Sequence, residues 1–179
     1  PTLPTPLEGV VMARFDRLPA DQQSLLKTLA VFGETFPIEV AKTAAESCGS
    51  DPALLDIIGV HGEFIARQAA DTISFMHSHI RSTIYESLDF ISRKDLHVLA
   101  ARTYQRLLPV GRAESMHTIA FHYMSGESII EGADIILKAA ELAHVANALP
   151  SALRYYQSLF ACKDSLDPDI QYKVVSRLG

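Results

Sequence analysis

Phe75-Met76-His77-Ser78-His79-Ile80-Arg81-Ser82-Thr83-Ile84-Tyr85-Glu86-Ser87-Leu88 reads as the end of a strand that runs directly into an amphipathic helix. The strand is Ile73-Ser74-Phe75-Met76, and Ala70-Asp71 before it is a turn candidate. Upstream of the turn, Phe64, Ala66 and Gln68 alternate with Ile65, Arg67 and Ala69, a period of two. The quoted stretch therefore closes a β-hairpin and opens a helix over about 77–89. A histidine stands at the junction, and Arg81, Tyr85 and Leu88 follow at helical spacing.

Before the hairpin the period is helical. Residues 7–18 place Leu7, Val10, Val11, Phe15 and Leu18 on one side, and Leu18-Pro19 breaks the run. Residues 22–32 bring Leu25, Leu26, Leu29 and Phe32 together, with Gly33 as a stop. Phe36-Pro37 is a short extended link, since the residue before proline avoids the helical region. A third helix over 38–47 is closed by Gly49. A fourth, capped by Ser50 or Asp51 with Pro52 in its first turn, weakens at Gly59 and Gly62. Helices followed by a two-stranded hairpin make the order of a winged-helix domain, over 1–91, with Pro1-Thr2-Leu3-Pro4-Thr5-Pro6 as an N-terminal linker or cut site.

Beyond Ser92 only helices are expected: 92–108, stopped by Pro109 and Gly111; 113–124, stopped by Ser125-Gly126; 129–148, broken at Pro150; 151–163; and 168–178. Short links between antiparallel helices suggest a hairpin array over 92–179. Ala139-Ala140-Glu141-Leu142-Ala143-His144 followed by Ala152-Leu153-Arg154-Tyr155-Tyr156 looks like a tetratricopeptide helix pair, small residues permitting close packing and the aromatic pair wedging between helices. A plain helical bundle is the alternative. The fold expected is mainly α, a winged-helix domain with a small β-hairpin followed by an antiparallel tetratricopeptide-like array. The array looks cut at its C-terminal end, and a homodimer could hide the face so exposed.

Composition narrows the function. The 179 residues carry a net charge of -5 and are 48% hydrophobic, enough for a packed core and ill suited to nucleic acid or an anionic membrane. From Thr43 to Ala66 there is no lysine or arginine, although the recognition helix of a winged helix would lie near 51–61. Phosphate contacts dominate nucleic-acid affinity, so DNA is not expected as a partner. No apolar run approaches the ~20 residues that span a bilayer. Cys48 and Cys162, far apart and in no metal spacing, read as reduced, buried thiols of a cytoplasmic protein, with a disulfide as the lesser alternative.

Two segments together resemble a known family. One runs from Thr5-Pro6-Leu7-Glu8-Gly9-Val10-Val11-Met12-Ala13-Arg14-Phe15-Asp16-Arg17-Leu18-Pro19 on through Leu25–Phe36. The other is Phe75-x-His77-x-x-Ile80-Arg81-x-x-x-Tyr85-x-x-Leu88 with Arg93 and Leu96-His97 beyond it. This resembles the region that follows the nucleotide-binding domain in multidomain signal-transduction ATPases, above all the ATPase-linked adenylate and guanylate cyclases and large ATP-dependent transcriptional activators. The first half of the chain carries the resemblance. It implies a winged helix, tetratricopeptide-like helices after it, and an upstream nucleotide-binding domain that binds ATP or ADP in the parent protein. It also implies that His77 touches the β-phosphate of the nucleotide. Arg81, one turn on, could reach the same site. Family members of the apoptosis and plant-resistance type have aspartate after the histidine, where this chain has Ser78.

The residues also allow plainer readings. His77 at a strand–helix junction can cap the helix, and Arg81 can be a surface charge or pair with Glu86 or Asp89. His77 and His79, two apart, would not face one another on a helix, and His117 and His122, five apart, are poorly placed to share a metal. His61, His97 and His144 stand alone. There is no phosphate-binding loop, nucleophile elbow, zinc-protease helix or paired-cysteine zinc pattern. The expectation is a chain with no catalytic residues, metal or cofactor of its own. It would be a regulatory and interaction module of a signalling ATPase, relaying a nucleotide-dependent switch to helices that bind a protein or peptide. The alternative is a free-standing tetratricopeptide-like interaction scaffold.

Overall fold

A computed structural model describes residues 6–61, 63–108 and 112–178. The described residues form ten α-helices, one 3₁₀ turn and a small three-stranded antiparallel sheet. They divide into two compact units, residues 1–99 and 100–179. The sequence reading puts the boundary at 91/92; the division falls inside a continuous helix, α6 (Phe90–Leu107). Residues 1–5 of the linker read over 1–6, the weak point at Gly62 and the stops at Pro109 and Gly111 lie outside the described residues, and Pro6 begins the first helix.

In the first unit the order is α1 (Pro6–Phe15), α2 (Ala20–Phe32), β1 (Thr35–Pro37), α3 (Ile38–Ser47), α4 (Leu54–His61), β2 (Ile65–Ala69), β3 (Thr72–Phe75), α5 (Ser78–Glu86) and the start of α6. The hairpin is β2–β3, with a register shift between Arg67 and Ala69. The Phe36-Pro37 link is itself a strand. It pairs antiparallel with β3, Phe36 opposite Ile73, which makes β3 the central strand. Three residues are too few for a period to show. Burial fixes β1 instead: Phe36 is 1% exposed and meets Phe32 and Phe75 edge-on at 6.5 and 6.4 Å. Leu25, Leu26 and Leu29 of α2, Ile65 of β2 and Ile84 of α5 complete the core.

α3 ends in a Schellman motif. Ser50 N–H donates to the Ala45 carbonyl and Gly49 N–H to the Glu46 carbonyl, at 2.9 and 3.1 Å. Gly49 takes φ 75°, a conformation that costs an L-residue about 1 kcal/mol.

The second unit holds the rest of α6, then α7 (Ala113–Ser125), α8 (Ala133–Val145), α9 (Leu149–Phe160), a 3₁₀ turn (Lys163–Ser165) and α10 (Pro168–Leu178). Pro150 begins α9 rather than interrupting a run, because the first turn of a helix needs no proline N–H. Ala139, Ala140 and Ala143 form a small-residue face on α8, all but fully buried, and Ala152, Tyr155, Tyr156 and Leu159 are the buried residues of α9. α7 and α8 end alike: Ser128 N–H donates to the Tyr123 carbonyl and Ala148 N–H to the Ala143 carbonyl, with Glu127 and Asn147 at φ 53° and 57°. The sequence points to Gly126 as the stop, but the left-handed position falls on Glu127. Gly132 is buried for another reason, since a Cβ there would meet the Tyr123 ring at 2.4 Å. That approach lets the Tyr123 hydroxyl donate to Gln105 Oε1 at 2.7 Å. Beside it, Arg102 grips Glu131 with two bonds of 2.7 and 2.8 Å.

Candidate functional site at the two ends of α5

β3 ends at Phe75, and the backbone stays extended through His77, at φ -148° and ψ 145°, before α5 starts at Ser78. His77 thus occupies the N-cap position, yet its side chain makes no capping bond. Histidine lacks the short oxygen-bearing side chain that reaches back to the first-turn N–H groups. The ring stacks instead on His79, centroids 5.3 Å apart and planes within 9°. This corrects the expectation that residues two apart do not face one another. That rule holds inside a helix, and here one partner lies outside it.

The stacked pair borders a cavity of about 420 Å³. α1 contributes Leu7, Val10 and Arg14, and the junction contributes Met76. Leu7 and Val10 are about half exposed, as is His77 in large part. The N-terminal end of α5 also opens here with its partial positive charge; Ile80 and Arg81 N–H donate to the His77 carbonyl, which leaves the N–H groups of Ser78 and His79 ahead of the helical ladder. The cavity can therefore take an anionic group beside an apolar surface. Glu63 at its edge is the opposing charge. Sequence spacing could not have assembled it, because its residues come from α1, the approach to β2 and the β3–α5 junction.

The middle and the C-terminal end of α5 are engaged by the fold. Arg81 donates from Nε to the Ala30 carbonyl at 2.7 Å, in the last turn of α2, where carbonyls lack helical partners. Its guanidinium also lies over the Tyr85 ring, 4.8 Å from the centroid. Arg93 lies over Tyr85 at 4.6 Å and donates to the Tyr85, Glu86 and Leu88 carbonyls at 3.1–3.4 Å, closing the C-terminal end of α5. The Tyr85 hydroxyl is hydrogen-bonded to His97 Nε2 at 2.9 Å. His97 is 1% exposed, and burial, with Arg81 and Arg93 adding to it, pushes its pKa from 6.5 down to about 4. Arg81 therefore holds α5 to α2 rather than pairing with Glu86 or Asp89, and it does not line the His77 cavity.

Two further histidines pair with aromatic rings. His117 Nδ1 is 3.2 Å from the Tyr155 hydroxyl, and His122 packs by Tyr104 and Phe121. Among the described residues no three His, Cys, Asp or Glu side chains are grouped to hold a metal. No helix of the described residues is long and apolar enough to cross a membrane. On α4, Asp56 faces Arg67 of β2 at 3.4 Å, an exposed pair of small energetic weight. No family model, curated protein or solved structure matches this chain.

Proposed function

We propose that this chain is a non-catalytic regulatory and interaction module of a signal-transduction ATPase. In this reading the first unit is a winged helix that closes over an upstream nucleotide-binding domain. The second is a tetratricopeptide-like array that binds a protein partner and returns the signal by rigid-body movement. The observation that carries the proposal is the state of His77. It is exposed, makes no capping bond, and borders a cavity at a helix N-terminus whose rim includes the uncovered apolar residues Leu7, Val10 and Met76. A β-phosphate would meet the imidazole and the α5 N–H groups together. Arg81 supports the helix from its other side and has its hydrogen bond elsewhere.

The test is ADP retention in the parent protein. His77→Ala should speed ADP release by about tenfold, the order of one charge-assisted hydrogen bond. Unchanged release in a folded variant would remove the nucleotide-sensing role.

The alternative, a free-standing tetratricopeptide-like scaffold, is favoured by one feature of the second unit. Val145 and Tyr172 stand 85% and 76% exposed there. Peptide binding by the chain without any nucleotide-binding domain, in a native protein that begins near Pro1, would decide for it.

A further inference from the structure

The second unit carries a groove that neither reading uses. It lies where the C-terminal ends of α8 and α10 meet the start of α9, has a volume of about 510 Å³, and is walled by Leu149, Leu153 and Leu178. Leu149 and Leu153 lie one turn apart on α9 and are 52% and 47% exposed, so the fold leaves this strip uncovered. The size falls in the range of small-molecule sites.

Its polar groups are unusual in being nearly all donors without acceptors. Arg177 lines the groove and makes no hydrogen bond or ion pair among the described residues. His144, on the opposite edge, is equally unpaired. Tyr156 is 4% exposed, and its hydroxyl is buried without a hydrogen-bond partner. An unmet buried hydroxyl is uncommon, because leaving it so costs about 1–3 kcal/mol. The N-terminal end of α9 opens on the same groove, uncapped by any side chain, and adds its partial positive charge. The nearest carboxylate, Glu141, acts on Tyr156 but does not line the groove.

We propose that this groove binds a small amphipathic carboxylate, an aliphatic acid whose tail lies along Leu149, Leu153 and Leu178 and whose head group meets Arg177. A carboxylate accepts two parallel bonds from a guanidinium and has lone pairs left for His144 and the Tyr156 hydroxyl. One cation, one anion and an apolar tail match the groove in charge and in surface. A single small ligand here would tie α8, α9 and α10 together, which is how an array of hairpins could be stiffened by a metabolite. This goes beyond the protein-partner reading, and its test is independent of the nucleotide.

The experiment titrates octanoate, octanamide and acetate into the 179-residue chain, followed by calorimetry and by two-dimensional NMR of the groove residues. Octanoate should bind and shift α9 and α10 resonances. Octanamide should bind about tenfold more weakly for want of charge, and acetate not measurably for want of a tail. Arg177→Gln should lower octanoate affinity about tenfold and leave octanamide unchanged. Tyr156→Phe, which keeps the ring and its packing, should lower it about threefold. Equal binding of acid and amide, octanoate affinity untouched by Arg177→Gln in a variant with wild-type circular dichroism, or no shift at the groove at millimolar octanoate would each overturn the proposal.

Discussion

The two ends of α5 differ in what their polar side chains do. At the C-terminal end Tyr85 is held between two guanidinium groups, its hydroxyl meets buried His97, and Arg93 closes three carbonyls. At the N-terminal end His77 and His79 touch one another and border open space. One end is engaged by the fold and the other is left over. The side chain of His77 makes no capping bond, whereas that of Arg81 is tied to the Ala30 carbonyl.

The largest effect should come from breaking the engaged end. Tyr85→Ala removes the ring between Arg81 and Arg93 and the hydroxyl bonded to His97 Nε2. The loss should be about 3 kcal/mol of first-unit stability. Tyr85→Phe keeps the ring and removes only the hydroxyl, so the loss should fall to about 1 kcal/mol. Hydrogen exchange of the α5 amides measures both. Equal losses would mean that the ring's stacking contributes little and that the hydroxyl carries the network.

How much of this was legible in the sequence follows from which signals are local. Helical periodicity marks α2 and α3 to within a residue or two, since each has its apolar residues and a glycine just past its end. The β2–β3 hairpin shows through alternation and a turn. β1 does not, because three residues carry no period. The Arg81 acceptor is a backbone carbonyl 51 residues away, so reasoning from charges nearby in the chain could offer only Glu86 and Asp89. The His77–His79 stack was hidden by treating a helix-cap residue as a helical one. Of the candidate site, the junction and its histidine were readable. The cavity was not, because α1, distant in the chain, supplies much of its wall.

A second effect separates the two ends by pH. The folded pKa of His97 is about 4 against an ordinary 6.5, so the native state resists protonation while the unfolded chain accepts it. Its contribution is fully present above pH 6.5 and is lost progressively as pH falls from 6.5 to about 4, where the folded state also protonates. The total across that window should be about 2–3 kcal/mol. His97→Gln retains a partner for Tyr85 but does not titrate. The difference in α5 opening free energy between wild type and variant should therefore shrink toward pH 4.5. A difference independent of pH would show that His97 is neutral for reasons unrelated to folding.

The smallest effect sharpens the contrast most. His77 makes no capping bond and is exposed, so His77→Ala in this chain should change stability by no more than about 0.5 kcal/mol. The ring contact to lose is the stack on His79, and it is partly open to water. Urea unfolding followed by circular dichroism checks this. A loss above about 1 kcal/mol would make His77 a structural corner like Arg81 and remove the reason to assign it a ligand. A near-zero change leaves an imidazole that the fold does not use, at a helix N-terminus, with open volume beside it. A residue neutral for folding but strong for ADP retention in the parent protein would put the switch at this end of α5, because no stability effect could then be mistaken for a binding one.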